Sequence, residues 1–95
     1  MKLFNFNSKV TIGSDIYTTL NGVLLILKEV YYYDGPITMQ YLPYGGIQAV
    51  INNQLIINCK DGFITCKYVI YNGKELSLAE FISQNKNLVN VVLPN

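Results

Sequence analysis

The chain has no histidine, no arginine and no tryptophan. Without histidine, every Ser–His or Cys–His pair and every His-ligated metal centre is excluded. The two cysteines alone cannot complete a four-ligand structural zinc site. Without arginine there is no planar fork to grip phosphate or guanine, and seven lysines against six acids leave a net charge of +1. A self-sufficient nucleic-acid binder carries a basic stripe, so strong independent binding is disfavoured, while weak contact through clustered lysines stays open. Charged residues make up 14% of the chain, below the usual figure of about 25%.

Long apolar runs are missing too. The longest, residues 23–27, stops at Lys28, far short of the ~20 residues a membrane-spanning helix needs. Met1-Lys2-Leu3-Phe4 is followed at once by Asn5 and Asn7, with no apolar signal-peptide core, and there is no Asn-x-Ser/Thr sequon. A cytoplasmic, non-membrane protein is expected. No G-x-G-x-x-G, no P-loop and no internal repeat occurs.

What is present is β-forming. Of the 95 residues, 51% are hydrophobic, with eleven Ile, eight Val, eight Tyr and four Phe, but only two Ala (Ala49 and Ala79). That length is one domain, able to bury roughly 60–65% of its unfolded surface in a single modest core. The chain divides into a lead-in at 1–8, a domain at 9–84 and a tail at 85–95.

The organising stretch is 45–82. Strands are expected at 47–50, 55–59 and 63–71, separated by Asn52-Asn53 and Asp61-Gly62 and closed by Asn72-Gly73. Asp-Gly and Asn-Gly between apolar alternating runs are hairpin signals, because mirror-image two-residue turns need φ > 0. Ser77 and Glu80 have capping-box spacing and start a short helix, with Leu78, Phe81 and Ile82 on its apolar side. In 63–71, Ile64, Cys66, Tyr68 and Ile70 form the expected core face, since the opposite set carries Lys67.

Upstream, 10–12 and 16–20 read as strands, then Asn21-Gly22 turns into the long strand 23–33. Its triple tyrosine and flanking turns outweigh a possible helical spacing. It is expected to be buried on both faces at its start and to bend outward at its end. Residues 37–42 alternate and should pair back across Asp34-Gly35. The apolar tail 88–93 is either an extra strand or an edge pairing with a second chain. The sum is a mainly β protein, a small OB-like closed antiparallel barrel with one short C-terminal helix.

If Asp61-Gly62 is the two-residue loop, Cys59 faces Ile64 and Cys66 faces Ile57, too far apart for a disulfide. Buried free thiols in a reducing compartment follow. Asp61, Asp34 and Glu80 have structural tasks in turns and at the helix start, so no catalytic residue is assigned. Exposed tyrosines can act as stacking platforms for unpaired bases, or merely cap the barrel ends. The binding candidates are Lys60, Lys67 and Lys74, with Tyr44 beside the Gly45-Gly46 pair.

Tyr44-Gly45-Gly46-Ile47, Leu55-Ile56-Ile57-Asn58-Cys59-Lys60-Asp61-Gly62, Gly73-Lys74 and Ser77-Leu78-Ala79-Glu80-Phe81-Ile82 follow one another in an order that resembles the C-terminal domain of the methionyl-tRNA formyltransferase family. Gly22-Val23-Leu24-Leu25-Ile26-Leu27-Lys28-Glu29 resembles that domain's first long strand, so the similarity runs from about Val10 to Gln84. The resemblance implies an OB-like barrel appended in cis to an N-terminal formyltransferase catalytic domain. That domain would use 10-formyltetrahydrofolate and its own Asn, His and Asp. It also implies that this part helps to bind and orient the formyl acceptor, tRNA or another amine. The missing arginines depart from a tRNA-binding pattern. Two other readings stand beside it: a free-standing OB-like nucleic-acid-binding module, and a β-edge domain forming a homodimer through 88–93.

Overall fold

A computed structural model describes residues 2–38 and 40–95. Among the described residues eight strands and one helix follow in order: β1 (Ile16–Leu20), β2 (Val23–Lys28), β3 (Tyr31–Tyr32), β4 (Ile47–Ile51), β5 (Gln54–Cys59), β6 (Gly62–Thr65), β7 (Tyr68–Tyr71), β8 (Lys74–Ser77) and α1 (Leu78–Gln84). They form two four-stranded antiparallel sheets, ordered β1-β2-β7-β8 and β3-β6-β5-β4. No described helix is long and apolar enough to cross a membrane.

The sheets share one ribbon. β2 pairs with β7 so that Lys28 faces Tyr68, and β3 pairs with β6 so that Tyr31 faces Thr65. Each strand advances the same number of residues between those pairs, so the register runs unbroken through a corner at Glu29-Val30 and Cys66-Lys67. The expected long strands 23–33 and 63–71 are therefore each divided, and each passes from one sheet to the other. At the corner the inward side chains skip a residue: Leu27 then Val30 on one strand, Cys66 then Val69 on the other, all buried. This overturns the expected core face beyond Cys66, because Tyr68 and Ile70 come out half-buried while Val69 goes in. Both strands dislocate by the same step, which preserves their pairing.

Glu29 makes the bend at φ 54, and Asp15 holds it there. The Asp15 carboxylate accepts from Lys28 Nζ at 2.7 Å and from the Glu29 backbone N–H at 3.1 Å. Around this corner the core gathers Leu25, Leu27, Leu55, Ile57, Ile64, Val69 and Phe81, each almost wholly inaccessible.

Three other expectations are corrected. Residues 10–12 form no strand: Val10 is buried but Ile12 is 52% exposed. The β5–β6 turn is Lys60-Asp61, with Cys59 facing Gly62 and Ile57 facing Ile64. The ladder has slipped by one residue on each strand, which keeps every side chain on its face and moves the two cysteines further apart. Both remain free and buried. Residues 37–42 form no strand where described, and Met39 lies outside the described residues. This segment instead crosses the outer side of β4 and β5, tied by Gln40 to Gln48 and by Asn58 Nδ2 to Leu42 O at 2.9 Å.

Neither sheet closes on itself; the tail bonds one edge of each, β4 and β1. Ile47 N–H donates to Val91 O (2.7 Å) and Leu93 N–H to Gly45 O (2.9 Å), while Asn95 N–H donates to Thr19 O (2.8 Å) on the edge of β1. Leu88 and Leu93 are buried beneath this path.

Candidate functional site

The helix begins as its sequence dictates. Ser77 Oγ accepts from Glu80 N–H (3.1 Å) and the Glu80 carboxylate accepts from Ser77 N–H (3.2 Å), completing the capping box. Donation from the Ser77 backbone N–H, followed by the Ser77 hydroxyl, holds the Glu80 carboxyl below its ordinary pKa. Phe81 enters the core and stands edge-on to Tyr71, ring centres 5.4 Å apart. Asn85 ends the helix, its N–H and side-chain amide both returning to Phe81 O. The chain then turns at Asn87, at φ 61, and drops back toward β4.

This path leaves a groove of about 550 Å³ between α1, β4 and the start of the tail. Its walls are apolar (Val50, Ala79, Ile82, Leu88 and Val89). Its rim carries Asn53, Ser83, Asn85 and Asn87, with Lys86 as the one ionisable lining residue. The volume lies within the range of small-molecule sites, and an apolar floor with a few amides is the usual composition of one. Among the described residues no acid or thiol lines it; the groups that carry exchangeable protons on heteroatoms besides the amides are the Lys86 amine and the Ser83 hydroxyl, which donates to Glu80 O at 2.8 Å. Such a groove can hold and orient a molecule.

None of the candidates read from sequence lines this groove. Lys60 sits in the β5–β6 turn, where its N–H donates to Phe6 O (3.1 Å). Tyr44, 46% exposed, lies at the same end of the molecule, since its neighbour Gly45 donates to Asn58 O (2.7 Å). Lys67 lies at the corner, with Nζ 3.4 Å from Glu29 Oε1. Lys74 opens β8 opposite Tyr71, at the far end of the 62–71 line from Lys60. The lysines are strung along the ribbon instead of converging on one spot. The groove left a faint trace in the sequence, the amide-rich Asn85-Lys86-Asn87 between two apolar segments.

Neither cysteine is available as a nucleophile. Burial raises the Cys59 thiol, whose Sγ lies 3.2 Å from Gly62 O. Burial pushes Cys66 up to about 12, so neither offers a thiolate near neutral pH. Among the described residues no three His, Cys, Asp or Glu come together to hold a metal. Comparison of the chain with family models, with curated proteins and with solved structures finds no match.

Proposed function

We propose that this chain is a non-catalytic binding domain that serves a formyltransferase-like protein by orienting the formyl acceptor for chemistry carried out elsewhere. The observation that carries the proposal is a ligand-sized groove with apolar walls and a rim of amides around a single lysine. A domain of that kind contributes by turning encounter into a positioned reaction.

The motifs behind the family reading fall on elements that suit it. Gly45-Gly46 enters β4, Cys59 through Gly62 spans the β5–β6 hairpin, Gly73-Lys74 enters β8, and Ser77 caps α1. The OB-like barrel belongs to the same proposal. It is supported by the shared corner ribbon and by the tail's bonds to both sheet edges, which together approach a ring. In this reading 10-formyltetrahydrofolate is bound by the catalytic domain in cis, and no residue here is assigned to it. The acceptor is tRNA or another amine, with Lys60, Lys67, Lys74 and Tyr44 as outlying contacts. Two unpaired buried thiols suit a cytoplasmic setting.

The test is formyl transfer by the full-length gene product with and without residues 9–95. The expected result is a KM for methionyl-tRNA or an amino sugar raised about tenfold or more, with KM for the folate within about twofold. Equal acceptor KM values, or an upstream reading frame without a formyltransferase domain, would overturn the proposal.

A further inference from the structure

The first sheet has a second face, turned away from the core. Alternation places Tyr17 and Thr19 of β1, Leu24, Ile26 and Lys28 of β2, Tyr68 and Ile70 of β7, and Glu75 and Ser77 of β8 on it. A one-sided antiparallel sheet presents polar residues at such positions. Here the two central strands present Leu24, Ile26, Tyr68 and Ile70, each half-buried, beside Tyr17 at 37% exposure.

The register turns these side chains into rows. Tyr17 faces Ile26, Ile26 faces Ile70 and Ile70 faces Glu75, so one line across the sheet reads phenol, isoleucine, isoleucine, carboxylate. The next line contains Lys28 beside Tyr68. A two-fold axis parallel to the strands, between β2 and β7, reverses each row. It lays Tyr17 of one copy on Glu75 of the other, Ile26 on Ile70, and Lys28 on the Tyr68 ring. A hydroxyl donor meets a carboxylate acceptor, apolar meets apolar, and the Asp15-paired Lys28 ammonium meets an aromatic face. We infer that this face of the β1-β2-β7-β8 sheet is an isologous interface for a second copy of this chain, centred on Ile26 and Ile70. Such self-complementarity is what a two-fold homodimer requires. The surface is separate from the 88–93 tail, whose backbone bonds the chain's own sheet edges.

The experiment is sedimentation velocity on the 95-residue chain at concentrations up to about 1 mM, with Ile26→Lys and Glu75→Lys measured alongside. The expected wild-type result is a species of twice the 10.7 kDa chain mass. Ile26→Lys should be a monomer over the same range, and Glu75→Lys should weaken association at least about tenfold. Circular dichroism establishes that each variant is folded; should Ile26→Lys unfold, the exposed Glu75→Lys decides. A wild type that stays a monomer throughout overturns the inference. So does a dimer insensitive to the folded variants, which would place the contact on another surface such as the tail.

Discussion

Gln40 and Gln48 hold each other through three hydrogen bonds. Gln40 N–H donates to Gln48 Oε1 (3.0 Å), Gln40 Nε2 donates to Gln48 O (2.8 Å), and Gln48 Nε2 donates to Gln40 O (2.8 Å). Gln48 is 1% exposed, and Ile56 and Thr65 on the same side of the sheet are equally hidden. The segment before β4 is thus a strap over the outer face of the second sheet, fastened by side-chain amides instead of a ladder. Gln48→Ala should lower unfolding free energy by about 1–3 kcal/mol, since it leaves the N–H and C=O of half-buried Gln40 without their partners. Gln48→Glu should be at least as damaging at neutral pH and should recover on acidification, because a buried carboxylate cannot donate to Gln40 O. Urea titration at two pH values checks both.

Asp15 ties its acid–base behaviour to the corner. The Lys28 side chain, followed by the Glu29 N–H, holds the Asp15 carboxyl below its ordinary range, and Asp15 in turn raises Lys28. A lowered carboxylate pKa contributes stability that is fully present above the unfolded value of about 4 and is lost as pH falls through the lower folded value. The raised lysine contributes below about 10.4 and is lost as pH climbs through its higher folded value. Stability should therefore decline below pH 4 and again above pH 10. In Asp15→Asn both declines should be shallower. Glu80→Gln, which keeps an acceptor in the capping box, should flatten only the acid side. Urea midpoints measured against pH give the comparison.

Gly45 lies where the tail meets β4, at φ +97, and a β-carbon there would run into the backbone carbonyl of Leu93. Gly45→Ala should destabilise by about 2 kcal/mol or more and loosen the tail. The check is faster amide exchange at Leu93 and Asn95, beside slower change within α1.

Both thiols should be silent in the folded protein. At pH 8, reaction of Cys59 and Cys66 with an aromatic disulfide reagent should run about a thousandfold slower than in the urea-unfolded chain, because labelling must wait for opening. Fast stoichiometric labelling of either cysteine without denaturant would contradict the buried placement.

Much of the local grammar was legible in the chain. Asn21-Gly22 and Asn72-Gly73 turn where turn chemistry demands, and the Ser77–Glu80 box caps the helix because both partners are local. The corner was not legible. It bends at Glu29, a residue with no intrinsic taste for positive φ, because Asp15 and Ser14 capture the backbone on either side of the bend. The strap defeated the pattern for a related reason. Its alternation suggested a strand, but Gln48 satisfied its backbone from the side and left no ladder to join. The groove depends on how the tail returns to β4 past Ile82, a long-range packing outcome that neither segment encodes alone.

The central structural claim is that residues 23–32 and 62–71 make one ribbon shared by two sheets. Cross-strand nuclear Overhauser contacts in the isotope-labelled chain test it directly. Leu27–Val69 contacts on one side of the corner and Tyr31–Thr65 contacts on the other are expected within the same molecule. Contacts joining residues 31–33 to 37–42 in place of β6, or a register that shifts across the corner, would contradict it.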